Sequence, residues 1–356
     1  MNWRSMLCAT ALVGASLLAG SAAIAEDVEL LPAGLLPPAS TEQVPAGKFK
    51  KAGPWTIGFS WPGVGNTWIV QNIQEVKYAG SHDPNIKELR FVEANWQPAK
   101  QVADIEDLMA QKVDALIVAP IAVDLVKAQV DAAAKAGIPV IVFSPSGAFS
   151  GATVSIYAGG GAFGKTGGEF LKDRLHGKGT IWVFRGIAGS GEDVARYDGL
   201  VAALKGTDIK IGAEVYGDWN YAKGKQLCEN LVASGQPVDG IWFSGADMTR
   251  ACFDVFKEIG KPLVPMTGEA NNGFLRAWKA AGADSVGPIF TPGLATSMVH
   301  AAAALLDGKA LYTAYYSDPK PITAANFDQY YRPDLNDAFW FPSTLPKELI
   351  DQTFKK

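Results

Sequence analysis

Apolar residues in this chain come in short near-continuous runs at 56–60, 89–94, 115–119 and 139–143, rich in Val, Ile, Leu and Phe. Runs of that length and kind read as strands buried on both faces. Between them, apolar positions recur at helical spacing over 66–78, 99–111 and 123–136. Val123, Val126, Val130 and Ala134 mark the last of these, and Gly137-Ile138-Pro139 ends it where the next strand begins. After Ser144-Pro145-Ser146-Gly147 a brief run at 154–157 is followed by renewed alternation. Strands are expected at 180–184, 210–216, 240–243 and 263–266, and helices at 162–175, 193–204, 221–233, 248–259 and 272–281. Strand and helix in alternation make parallel sheets with right-handed crossovers, so the fold class is α/β. Two such series in one chain make two lobes, and a small ligand is expected in the cleft between them.

The first turn of the first series, Trp61-Pro62-Gly63, lies at the carboxyl edge of its sheet, where open α/β folds bind ligands. Residues 1–25 show a different pattern: Arg4, an apolar stretch from Leu7 to Ile24, then Ala23-Ile24-Ala25 before Glu26. This reads as a secretory signal cleaved after Ala25, with an uncleaved anchor helix as the alternative. Residues 26–53 carry Pro32, Pro37, Pro38 and Pro45 without sustained periodicity and read as an extended leader or linker.

Composition then excludes several classes. Loss of Arg4 takes the basic residues from 32 to 31 against 36 acidic ones, a net charge of about −5 with no basic block. A nucleic-acid partner is therefore not expected. Cys8 leaves with the signal, and Cys228 and Cys252 remain as a disulfide candidate in an exported chain, or as two buried thiols. His82, His176 and His300 are isolated, so neither a catalytic set nor a metal site is legible.

Gly159-Gly160-Gly161-Ala162-Phe163-Gly164-Lys165-Thr166 satisfies the phosphate-loop pattern in full. A nucleotide-binding or enzymatic reading would use those backbone N–H groups, Lys165 and Thr166. The alternative is a glycine-rich crossover opening a helix, favoured by the weak preceding strand and the absence of a suitable downstream acid. Gly63-Val64-Gly65-Asn66-Thr67-Trp68 begins like a dinucleotide fingerprint but places an indole where its third glycine belongs. Such a ring offers a flat apolar face to the cleft.

Asn66-Thr67-Trp68, Gly137-Ile138-Pro139-Val140, Gly186-Ile187-Ala188-Gly189, Arg196-Tyr197-Asp198-Gly199 and Val238-Asp239-Gly240-Ile241, in this order, resemble the periplasmic sugar-binding proteins of ABC importers, in the ribose-binding (type I) group. The resemblance covers about residues 55–356. It implies two Rossmann-like lobes, 54–158 with 291–322 and 159–290 with 323–356, joined by three crossovers near 157–160, 288–292 and 321–324. It further implies a monomer that takes a small carbohydrate, delivers it to a membrane permease in the periplasm, needs no cofactor and is not an enzyme. A signalling receptor sharing the fold is the alternative. By position, Asn66 is the hydrogen-bonding amide, Trp68 and Trp219 are the rings sandwiching the sugar, and Arg196, beside Asp193, grips hydroxyls. Glu269 replaces an expected Asp. Ser144-Pro145, Gly245 and Phe290 stand where the group has Asp-Arg, Asn and Gln, so ribose itself is not expected. Ser60, Trp61, Ser144, Asp247, Asn271 and Asn272 could supply substitutes, giving a more aromatic pocket suited to a neutral monosaccharide, deoxysugar or polyol.

Overall fold

The computed structural model describes residues 28–31, 35–145 and 147–356. The expected signal segment, its cleavage site and Cys8 lie outside the described residues. In chain order the elements are β1 (Gln43–Val44), β2 (Trp55–Trp61), α1 (Thr67–His82), β3 (Ile86–Glu93), α2 (Pro98–Ala110), β4 (Ala115–Val118), α3 (Lys127–Lys135), β5 (Val140–Ser144), β6 (Val154–Tyr157), α4 (Gly160–Arg174), β7 (Lys178–Arg185), α5 (Gly191–Leu204) and β8 (Asp208–Tyr216). They continue with α6 (Tyr221–Ala233), β9 (Gly240–Phe243), α7 (Ala246–Glu258), β10 (Met266–Thr267), α8 (Asn272–Ala281), β11 (Ser285–Pro288), α9 (Leu294–Asp307), β12 (Leu311–Tyr312), β13 (Ala314–Tyr316), β14 (Pro321–Ile322) and α10 (Lys347–Phe354).

Two six-stranded sheets result, ordered β13-β6-β5-β4-β2-β3 and β14-β11-β10-β9-β7-β8. The first is parallel throughout; the second is parallel except where β14 runs against β11. The central strands β4 and β9 are buried at every residue, as their unbroken apolar runs require. Asparagine opens three helices in the same way. Asn66, Asn220 and Asn271 each accept a hydrogen bond from the N–H three residues on, at 2.9, 3.0 and 3.1 Å.

Three expectations need correction. The helix expected over 123–136 breaks at Val126 into a 3-10 turn, Val123–Leu125, and α3. The strand expected at 263–266 shrinks to Met266–Thr267, because Pro262 and Pro265 have no N–H for a ladder. The third passage between sheets lies at 317–320 rather than 321–324, since Pro321 and Ile322 already pair with Pro288 and Gly287. The leader is packed: Leu30, Leu31, Leu36 and Val44 are buried in the first lobe's core, and β1 pairs antiparallel with β12. Just before β1 the chain bonds along β13, the edge of the first sheet: the Ala39 N–H donates to the Ala314 carbonyl at 2.8 Å and the Tyr316 N–H to the Pro37 carbonyl at 3.1 Å, which covers backbone groups an open edge would leave free. Helix α9 carries no helical period because it is apolar on nearly every face, and it lies buried in the same core.

Cys228 on α6 and Cys252 on α7 are joined in a disulfide, with Cα atoms 5.6 Å apart and both residues fully buried. The bond closes a loop of 24 residues in sequence separation. On loop-closure entropy alone it stabilises the fold by about 3.5 kcal/mol. Denaturant unfolding with and without reductant is the check, with a lower midpoint expected for the reduced chain; equal midpoints would remove this contribution.

Candidate binding cleft

The cleft is built where both series of strands end. At the end of β2 the chain turns through Pro62 and Gly63, and any side chain on Gly63 would strike the Trp96 ring, since a Cβ there falls 2.4 Å from it. Trp96 itself is held at a φ of +58°, a left-handed conformation costly for a bulky residue, and its indole N–H donates to the Val64 carbonyl at 3.2 Å. Trp68, in the first turn of α1, stacks on Trp61 with ring centres 6.3 Å apart. Its N–H donates to the carbonyl of Phe290 at 2.7 Å, tying α1 to the second passage between the lobes.

The second lobe contributes Trp219, also left-handed at a φ of +52°. Gly186 and Gly245 leave the space it occupies: added Cβ atoms would come within 2.2 and 2.6 Å of the indole. Its N–H donates to the Ser244 carbonyl at 2.9 Å. Across the cleft the Trp219 ring approaches Trp96, with centres 6.5 Å apart and planes tilted by 45°. Trp61, Trp68, Trp340, Phe143 and Phe290 complete the aromatic lining, around a cavity of about 100 Å³.

Charge enters from the second lobe. Arg196 is buried, and its guanidinium donates to Glu192 Oε1 at 2.7 Å, the Ser244 carbonyl at 2.6 Å and Glu269 Oε1 at 3.1 Å. It also lies 3.8 Å from the centre of the Phe163 ring and 4.5 Å from that of Phe290. Burial pushes the Glu269 carboxyl up to about 7, against the pull of Arg196, whose charge Glu192 shares. Burial likewise raises Glu192 and Asp247 above the usual carboxylate range. Glu192 Oε2, Asp247 Oδ1 and Trp61 Nε1 are buried without a hydrogen-bond partner. Orphaned polar atoms of that kind are costly unless something else fills them.

The sequence profile of the periplasmic binding protein domain matches residues 57–310. The chain belongs to that family. It is 29% identical over 183 residues to the xylitol-binding protein of Mycolicibacterium smegmatis, covering 51% of this chain and 52% of that one. It is 29% identical over 184 residues to the ribose import binding protein of Haemophilus influenzae, covering 51% and 63%. The chain thus spans between about half and two thirds of these relatives' lengths. An ABC transporter solute-binding protein of Bacillus halodurans, solved with bound myo-inositol, shares the fold at a TM-score of 0.69 and 21% identity, covering 79% of this chain and 98% of that one.

Of the residues singled out in the sequence, this periplasmic binding protein brings Asn66, Trp61, Trp68, Arg196, Trp219, Gly245, Asp247, Glu269 and Phe290 to the cleft wall. Ser60 does not reach it; the residue is fully buried within β2, its hydroxyl 3.4 Å from Gln101 Nε2. Asp193 belongs to a separate ion pair, 2.6 Å from Arg185, and also accepts the Gly186 N–H. The partners of Arg196 are therefore Glu192 and Glu269, not Asp193. Asn271 is spent as the α8 cap and on the Phe339 carbonyl. Ser144 is buried at the end of β5, between Phe143 and Pro145, which do line the cleft.

Trp96, Glu192 and Trp340 escaped the sequence reading. Glu192 was accessible, since it stands one helical turn before Arg196, where opposite charges meet. Trp96 and Trp340 carried no local signal. The glycines of 159–166 have another use than a phosphate cradle. Gly160 to Thr166 are already helical, a Cβ on Gly164 would fall 1.7 Å from the Arg196 carbonyl oxygen, and Lys165 pairs with Glu169 at 3.6 Å on the surface. These small residues let α4 and α5 pack backbone to backbone, which fixes where α5 presents Arg196.

A carboxyl raised in the folded state holds its proton there more tightly than in the unfolded chain. Between the ordinary value near 4.5 and about 7, Glu269 therefore costs increasing stability as pH rises, up to about 1.4 kcal/mol per unit. Glu192 and Asp247 act with the same sign. The unliganded protein is expected to melt at a higher temperature at pH 5.5 than at 7.5, with a shallower dependence in Glu269→Gln. An equal slope in the variant would remove Glu269 as the source.

Proposed function

We propose that the chain is a periplasmic solute receptor that captures one small neutral carbohydrate, a monosaccharide, deoxysugar or polyol, between its lobes. It then closes on the ligand and presents it to the permease of an ABC importer, acting as a monomer and making or breaking no bond. The observation that carries this reading is the pairing of neighbouring indoles, Trp96 and Trp219, with buried carboxylate oxygens that lack partners. Sugar C–H faces pack on aromatic planes, and hydroxyl groups donate to carboxylates in short charge-assisted bonds. The similar proteins named for xylitol and ribose bear on the same class. Export, with cleavage after Ala25, belongs to this proposal.

A thermal-shift screen of monosaccharides, polyols and nucleotides is the direct test, because a ligand of the native state raises stability as RT ln(1 + [L]/Kd). Stabilisation by at least one carbohydrate and none by ATP or NAD is expected. A response to nucleotides alone would overturn the reading.

A further inference from the structure

Residues 332–345 belong to neither sheet yet bind both lobes. Toward the second lobe, the Asn272 N–H donates to the Phe339 carbonyl at 2.8 Å and its side-chain amide to the carbonyls of Arg332 and Leu335, each at 2.8 Å. Phe339 and Phe341 are buried in that lobe's core. Toward the first lobe, Gln71 of α1 exchanges two hydrogen bonds with the Trp340 backbone, at 2.8 and 3.1 Å. Glu75, one turn further on and fully buried, accepts from Ser343 Oγ at 2.7 Å, Thr344 Oγ1 at 2.6 Å and the Thr344 N–H at 3.1 Å. A buried carboxylate is tolerated only when its oxygens are satisfied, and much of that satisfaction comes from this strap.

The strap also places Trp340 in the cleft wall. Its indole nitrogen lies 2.9 Å from Thr67 Oγ1, and Thr67 Oγ1 lies 3.3 Å from Asp247 Oδ2. The direction of this relay follows from chemistry. Indole N–H only donates, so the Thr67 oxygen accepts from Trp340, and its single proton is left for Asp247. The relay runs from the strap through the first lobe to the second. It occupies one oxygen of Asp247 and leaves Oδ1 without a hydrogen bond; Arg250 is 3.6 Å away, beyond hydrogen-bonding range.

We infer that Trp340 is a positioning residue for the ligand: through Thr67 it holds Asp247 with Oδ1 ready to accept a hydroxyl of the bound carbohydrate. The strap is thereby a working part of the site. This rests on the carbohydrate reading above and adds a residue that neither lobe's sheet supplies.

Calorimetric titration with xylitol, ribose and myo-inositol in turn tests it, on the full chain and on Trp340→Phe, Thr67→Val, Asp247→Asn and the Trp340→Phe/Asp247→Asn double variant. Trp340→Phe keeps an aromatic wall but loses the N–H. Affinity for the best probe is expected to fall about ten-fold in that variant, with an unliganded melting temperature near that of the parent. Thr67→Val breaks the same relay without touching the strap and is expected to match it, which covers the case in which the Trp340 variant folds poorly. The double variant is expected to bind about as weakly as Asp247→Asn alone, because a residue acting through Asp247 has nothing left to position. Parent-like affinity in Trp340→Phe and Thr67→Val, or fully additive losses in the double variant, would overturn the inference and leave the carbohydrate reading standing. No binding of any carbohydrate to the parent would overturn both.

Discussion

Trp219→Ala is expected to lower carbohydrate affinity by about a hundred-fold or more while leaving a cooperative unfolding transition, measured by titration calorimetry and thermal melts. Buried aromatic anchors at the centre of a binding surface commonly contribute 2–4 kcal/mol on truncation, and this ring has the attributes of one. It is locked by its bond to Ser244, seated over two glycines and approached by Trp96. The left-handed backbone at residue 219 is a cost that the fold sustains in order to aim the ring. Gly186→Ala should reproduce the loss without removing the indole, because its Cβ would fall 2.2 Å from that ring and displace it. Trp219→Ala with unchanged affinity would move the ligand elsewhere. Gly186→Ala with unchanged affinity would show that the position of the ring matters less than its presence.

Replacing Arg196 by Met should act on the fold as well as on the ligand. The guanidinium is buried between Glu192 and Glu269, so its removal leaves two carboxylates in a desolvated space with no cation between them. Breaking a buried pair in this way costs about 3–5 kcal/mol. Both carboxyls would then hold protons more tightly, and the sign follows: acidification from pH 7.5 to 5.5 should recover more stability in the variant than in the parent. Arg196→Lys is not expected to rescue, because an ammonium lacks the planar fork that serves Glu192, the Ser244 carbonyl and Glu269 together. Denaturant unfolding at the two pH values decides the matter. A neutral effect of Arg196→Met would mean that the cluster contributes nothing to the fold.

The strands and helices that build the cleft were legible where a single segment carried its own period. β9, α6 and α8 fall at the expected residues because their apolar spacing, caps and flanking glycines lie within a few positions of one another. β10 and α3 were misjudged where proline or a local tightening of the helix overrode the pattern. The leader was opaque for a related reason. Its buried leucines show no period, and only the groove on the first lobe gives them somewhere to go.

The site divides along the same line. From the sequence by itself came the two α/β lobes, the family, the break after β2 and, through the family resemblance, Trp68, Arg196, Trp219 and Glu269, which the fold gathers on one cleft wall. The tertiary structure decided which groups meet. It brought Trp96 close to Trp219, paired Arg196 with Glu192 and Glu269, turned Ser60, Asp193 and Asn271 to other tasks, and carried Trp340 in from the far end of the chain. Local periodicity reports what one element needs to bury. Contacts between residues two hundred or more positions apart, such as Thr67 and Trp340, depend on how two lobes and a strap close on one another, and no single segment encodes that.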